Sequence, residues 1–97
     1  MSRLGYIIEE TVRIAADYNF YWNIGNSKTG IEITFTTTNR LWSDTVALTN
    51  LDVNGLTHLS DEAWQKAITD AIEKCAETVD NLEADYFAKN FGWWGKT

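Results

Sequence analysis

The chain has no proline, one cysteine, one histidine and only eight basic residues in 97. With Cys75 alone, an intramolecular disulfide and a metal site built from several thiolates are both excluded. A reducing, cytoplasmic setting is the simplest expectation. Any Ser-His-Asp or Cys-His relay would have to pass through His58, the only histidine. Cys75 falls in an apolar stripe, where a thiol ordinarily fills the core. The patterns GxGxxG and GxxxxGKS/T are missing, so no nucleotide-phosphate cradle is expected. Asp52-Val53-Asn54-Gly55 lacks the ligand spacing of a calcium loop. No catalytic residue, cofactor or metal ion is expected. No apolar run approaches the roughly 18–20 residues that a membrane span needs. Arg3, Glu9, Glu10 and Arg13 interrupt the stretch where a signal peptide would have its apolar segment.

What is present suits one small globular domain over 1–97, with 91–97 as an aromatic C-terminal tail. Hydrophobic residues make up 44% and aromatics 13%, enough for one modest core. The formal net charge is −6 and the pI about 4.5. Such a chain is repelled by nucleic-acid phosphates and by anionic membranes. It favours basic partners, of which nucleic-acid-binding proteins are the commonest.

The pattern predicts an α+β fold. Leu4, Ile7, Ile8, Thr11, Ile14, Ala15 and Tyr18 recur at helical steps, giving a first helix over 2–18 with Ser2 as a cap. Glu9, Arg13 and Asp17 are spaced to pair along its wet face. Phe20, Trp22 and Ile24 alternate with polar neighbours, as in a strand over 20–24 with these three inward. The turn formers Gly25 to Gly30 separate it from a second strand over 31–38, with Ile31, Ile33 and Phe35 inward and Thr34, Thr36 and Thr38 outward. A third strand over 45–50 puts Val46 and Leu48 inward. Residues 51–59 are open: Asn54-Gly55 is a turn signal, so 51–53 and 56–58 either pair as a small hairpin or wander to the next helix.

A long last helix starts at Ser60, with Asp61 and Glu62 in its first turn and a hydrophobic staple between Leu59 and Trp64. Its apolar stripe runs through Trp64, Ile68, Ala71, Cys75, Val79, Leu82 and Tyr86, widened by Ile72, and Gly92 is a natural stop. From Asp61 to Asn90 it would be about 45 Å long. That exceeds the width of so small a domain. Either it breaks near Asn81, or its far end overhangs and meets a partner. The expected architecture is helix, three-stranded antiparallel sheet, long helix, with both helices on one face of the sheet.

The last helix carries most of the negative charge. At 100° per residue, Glu62, Asp70, Glu73, Glu77 and Asp80 fall within an arc of about 80°, opposite the apolar stripe. Paired carboxylates for acid–base chemistry need a cleft that separates their pKa values, and a face turned to water offers none. Two readings remain for the row. It is the solvated side of an ordinary amphipathic helix, or it stands in for nucleic-acid phosphates in a basic groove. The aromatics pose a similar choice. Trp22 and Trp64 occupy core positions. Tyr21 on the outer sheet face, Trp42 in a loop and Trp93-Trp94 in the tail are candidate docking residues. Trp93 and Trp94 can equally fold back to close the core.

In element order, negative charge and size, the chain resembles the small acidic anti-CRISPR proteins of phages. The resemblance covers most of the chain and rests on architecture and charge, with no shared motif. It implies an inhibitor, encoded by a phage and acting in a bacterial host, that blocks DNA access to a CRISPR effector. Glu62, Asp70, Glu73, Glu77 and Asp80 would be its contact row. A second expectation is an adaptor or homodimer joined through the apolar end of the last helix around Leu82, Tyr86 and Phe87. A small enzyme using His58 is a third.

Overall fold

A computed structural model describes residues 3–54 and 60–90. The order is α1 (Arg3–Tyr18), β1 (Tyr21–Ser27), β2 (Gly30–Thr36), β3 (Ser43–Thr49), a short α2 (Asn50–Asn54) and α3 (Asp61–Asn90). The strands form one antiparallel sheet in the order β1-β2-β3. The expected α+β plan, with helix, sheet and long helix, is the observed one.

Alternation along the strands decides which face is covered. Ile31, Ile33 and Phe35 are buried in β2, with Leu48 beside Ile31 in the ladder. They pack with Ile7, Thr11, Ile14 and Ala15 of α1 and with Trp64, Ile68, Ile72, Cys75, Ala76 and Val79 of α3. The core is therefore a sandwich of one sheet face against two helices. Full burial of a side chain such as Phe35 or Ile72 contributes roughly 1.5–3 kcal/mol of transfer free energy.

Local chemistry fixes the joints. Asn19 adopts the left-handed conformation with φ of 59° just past α1. The Asn19 amide donates to the Ala16 carbonyl at 3.2 Å and the Phe20 amide to Ala15 at 2.8 Å, completing a Schellman cap. Phe20 lies in this joint, stacked on Tyr18 at 5.3 Å, so β1 begins one residue later than its alternation suggests. The hairpin loop is only Lys28-Thr29, because Gly25, Asn26 and Ser27 pair with Glu32, Ile31 and Gly30. The many turn formers thus lie mostly inside the ladder. Gly30 is required by close approach: a Cβ there would strike the Leu48 carbonyl and come within 2.8 Å of the Thr49 Cα.

Ladder pairing also shifts the other strand ends. β2 stops at Thr36, so Thr38 leaves the outer Thr row, and β3 spans 43–49 instead of 45–50. Thr37 is buried and joins the Trp42 carbonyl through its amide at 2.9 Å, closing the β2–β3 connection. Residues 51–53 are helical rather than extended: Thr49 caps α2, its hydroxyl accepting the Asp52 amide at 3.2 Å while the Asp52 carboxylate accepts the Thr49 amide at 2.8 Å. The Asn54-Gly55 turn, His58, the Leu59 staple, the Ser2 cap, the Gly92 stop and the tail with Trp93 and Trp94 lie outside the described residues.

Ser60 caps α3 as its sequence suggests, accepting the Ala63 amide on its hydroxyl at 3.1 Å. The helix then runs unbroken to Asn90, so Asn81 does not interrupt it. Its far end overhangs: Leu82, Tyr86 and Phe87 are 40%, 40% and 48% exposed. They drop out of the expected buried stripe because the sheet and α1 end beneath Val79. Trp22 departs too. It faces the covered side, opposite Phe35, yet is 44% exposed because β1 is an edge strand. The principal extents of 51 × 24 × 19 Å follow the length of α3.

Candidate interaction surfaces

α1 and α3 lie side by side and parallel. Arg3 meets Asp61 at 3.3 Å, the Tyr6 hydroxyl meets Thr69 at 2.6 Å, and Arg13 meets Glu73 at 3.5 Å. Each contact is one or two turns further along both helices. The outer groove between them collects charge. Glu10 takes a forked hydrogen bond from Arg13 at 3.0 and 3.1 Å and another from the Thr69 hydroxyl at 2.8 Å. Arg13 also reaches Asp17 at 3.3 Å. The Arg13 fork and Thr69 hold the Glu10 carboxyl below its ordinary range against a smaller opposing effect of burial. Arg13 therefore pairs with Glu10, not with Glu9, because only Glu10 lies on the flank that faces α3.

Further along, the groove becomes an acidic pole. Burial first, then the carboxylates of Glu77, Asp80, Glu73 and Asp17, push the Tyr18 phenol above its ordinary value. Four carboxylates from two helices thus act on one hydroxyl. α1 has no basic residue in its last turn to offset them or its own carbonyl end.

The sequence row on α3 is only partly delivered. Glu73, Glu77 and Asp80 converge with Asp17, a residue on another element that helical spacing alone could not add. Glu73 is tied to Arg13, and Asp70 to Lys66 at 3.2 Å, so two members of the row carry a counter-charge. Glu62 is exposed near the start of α3. Lys66 falls on the same arc at 100° per residue, and its spacing to Asp70 was the available signal.

The aromatic candidates do not join this groove. Tyr21 stands on the uncovered sheet face, half exposed, beneath the Arg40 guanidinium at 5.1 Å. That face is otherwise neutral but for Glu32, with Thr34 and Thr45 sharing a hydrogen bond of 2.8 Å. Trp42 is half buried and packs its ring on Tyr86 at 5.3 Å, bracing the overhang. Tyr86 in turn meets Phe87 edge-on at 5.7 Å.

Cys75 is buried, and desolvation followed by the nearby Asp44 pushes its thiol up to about 12, so it is a neutral core group at ordinary pH. Among the described residues no group of three or more His, Cys, Asp or Glu side chains could hold a metal ion. Among them, too, no helix is long and apolar enough to cross a membrane. Compared with known proteins, the chain matches no protein-family model, no curated protein and no solved structure.

Proposed function

We propose that this chain is a small inhibitory binding protein that presents the acidic groove between α1 and α3 to a basic site on a nucleic-acid-processing protein. The observation that supports it is the convergence of Asp17, Glu73, Glu77 and Asp80 around Tyr18, with Arg13 the base that ion pairs place among them. Carboxylates on parallel helices repeat about every 5–6 Å along the axis, a spacing that a phosphate-binding groove tolerates. Their charge steers a basic partner and competes with DNA for it. A CRISPR effector, blocked as the acidic anti-CRISPR proteins block theirs, is the partner this reading favours. Glu77 and Asp80 carry the contact best, since among the described residues no ion pair engages them, whereas Asp70 and Glu73 spend part of their charge inside the molecule.

The test is a tagged pull-down from bacterial lysate at low and high salt, wild type beside Glu77→Lys/Asp80→Lys. Recovery of a nucleic-acid-binding protein by wild type alone, and at low salt alone, is the expected result. Equal recovery by both proteins would remove the groove from the interface.

A second reading draws on the overhang. Leu82, Tyr86 and Phe87 keep 40–48% of their surface exposed on the overhanging end of α3, where Tyr86 packs on the Trp42 ring. A partner helix laid along them makes the protein an adaptor. Its binding would resist salt and fall with Leu82→Lys.

A further inference from the structure

A cavity of about 290 Å³ lies between the outer edge of β3 and α3, lined by Asp44 to Ala47 on the strand and by Ala71, Lys74, Cys75 and Thr78 on the helix. One water takes up roughly 30 Å³ of liquid, so the space admits whole side chains. At 100° per residue, Ala71, Lys74 and Thr78 fall on the flank of α3 away from Thr69 and Glu73, which face α1. The cavity is therefore separate from the acidic groove.

The backbone of β3 is only half used. The Asn50 amide donates to the Thr29 carbonyl at 2.6 Å, and the Thr37 amide to the Trp42 carbonyl at 2.9 Å. Both pairs continue the β2–β3 register, in which Ile31 meets Leu48 and Phe35 meets Asp44. Bonded pairs alternate along an antiparallel ladder. Leu48, Val46 and Asp44 therefore turn their amides and carbonyls to β2, while Thr49, Ala47, Thr45 and Ser43 turn theirs outward. The outward Thr49 amide goes to the Asp52 carboxylate at 2.8 Å. Among the described residues no side chain or turn takes those of Thr45 and Ala47. They stand along the cavity two residues apart, the repeat of an extended chain. A row of backbone donors and acceptors at that repeat matches another strand, not a small molecule.

We propose that β3 takes an extended segment of a partner protein as a fourth strand along this cavity, with a lysine or arginine of that segment beside Asp44 and an aliphatic side chain two residues away beside Val46. Charge selects the occupant. Asp44 is half-buried on the covered face, its carboxylate next to the neutral Cys75 thiol, and among the described residues it forms no ion pair. A carboxylate partly withdrawn from water is stabilised by a counter-charge brought to it. Lys74 on the helix wall is exposed and keeps its hydration, so Asp44 sets the sign. An inward charge on an edge strand also turns away neutral strands. A second copy, itself at −6, is repelled. Residues two apart on a strand share a face, so the base and the aliphatic side chain both point under α3, where the small Ala71 lines the same cavity as Val46. With two outward residues the ladder is short, and the contact belongs to the weak, transient class.

Selection of random short peptides on the immobilised protein tests this, wild type beside Thr45→Pro, Asp44→Asn and Glu77→Lys/Asp80→Lys. The Thr45 amide points away from β2, so proline there spares the ladder and removes an outward donor. Wild type should enrich peptides with a base two residues from an aliphatic side chain. One such peptide, synthesised with blocked ends, should bind Asp44→Asn about fivefold more weakly, the size of one ion pair, and Thr45→Pro not measurably. At physiological salt, where the distant groove is screened, it should bind Glu77→Lys/Asp80→Lys as it binds wild type. Amide exchange on wild type supplies a reading independent of any variant: the peptide should slow Thr45 and Ala47 and leave Tyr21–Ser27 unchanged. No enrichment by wild type overturns the proposal. So does a peptide that Thr45→Pro binds as tightly as wild type, or one that slows neither Thr45 nor Ala47. A peptide lost only in Glu77→Lys/Asp80→Lys sits in the acidic groove, which overturns strand addition at β3 and leaves the groove's own test standing.

Discussion

Between Trp64 and Val79, α3 buries Trp64, Ile68, Ile72, Cys75, Ala76 and Val79, with Ile72, Ala76 and Val79 at 0% exposure, while Ala71 is half-buried. Leu82 and Tyr86 continue the same stripe, yet each is 40% exposed. Composition and period do not separate the two stretches; the length of the other elements does. α1 has 16 residues and each strand seven, so both layers reach about 24 Å, whereas the 30 residues of α3 reach about 45 Å. A helix pattern states which face is apolar. How much of that face finds a cover is set by the neighbours. In the first half the stripe serves stability. In the second it stays 40–48% exposed.

The sharpest way to test this contrast is to truncate one apolar residue in each half. Ile72→Ala leaves a cavity among Ile7, Ile33 and Val79, all at 0% exposure, and should cost about 2–5 kcal/mol. Against a total stability of roughly 5–15 kcal/mol, that moves the urea midpoint far down. Leu82→Ala should cost a few tenths of a kcal/mol, roughly the size of a surface substitution. Equal costs at the two sites would break the comparison and show that the overhang is covered in solution.

The legible part of the molecule follows the same line. The 3.6-residue period of α1 and α3 and the alternation of β2 placed Ile7, Ile33, Phe35 and Val79 in the core, because these patterns record which side faces away from water. Ser60 was legible because a cap is a local bond. Trp22 misled, since alternation gives the face of a strand and not its place at a sheet edge. The acidic groove was half legible. Glu73, Glu77 and Asp80 follow from helical spacing, but Asp17 and the cross-helix partners of Arg13 depend on α1 and α3 lying parallel. No spacing within one helix encodes that.

A second test sharpens the packed half by probing the bonds that hold α1 to it. Glu10 links the helices through Arg13 and Thr69. The hydrogen bonds from Arg13 hold its carboxyl below its ordinary value of 4.5, so the ionised form is the one the fold favours. Stability from this group is therefore present above that value and is lost as pH falls through the lowered one. Arg13 is 46% exposed, which screens the pair, so Glu10→Gln should cost about 1 kcal/mol at pH 7. The gap between variant and wild type should close in acid. Urea midpoints near neutrality and well below pH 4.5 measure it, and a gap independent of pH would show that shape, not charge, matters there.

The most local effect belongs to a brace on the overhang. Trp42 lies in the β2–β3 connection and packs on Tyr86 at 5.3 Å between ring centres, tilted by 48°. Such a pair adds about 0.5–1.5 kcal/mol beyond burial. Past Val79 the apolar residues Leu82, Tyr86 and Phe87 are 40–48% exposed, and a short helical stretch with little packing is marginal in water. Trp42→Ala should therefore fray α3 from its C-terminal end and spare the core. Amide exchange should quicken from Leu82 onward by about threefold to tenfold, as the lost pair free energy implies. Amides between Trp64 and Val79 should keep their protection, because their exchange follows the packing of Ile72 and its neighbours. If both stretches lose protection together, the helix opens as one cooperative unit and the division drawn at Val79 is wrong.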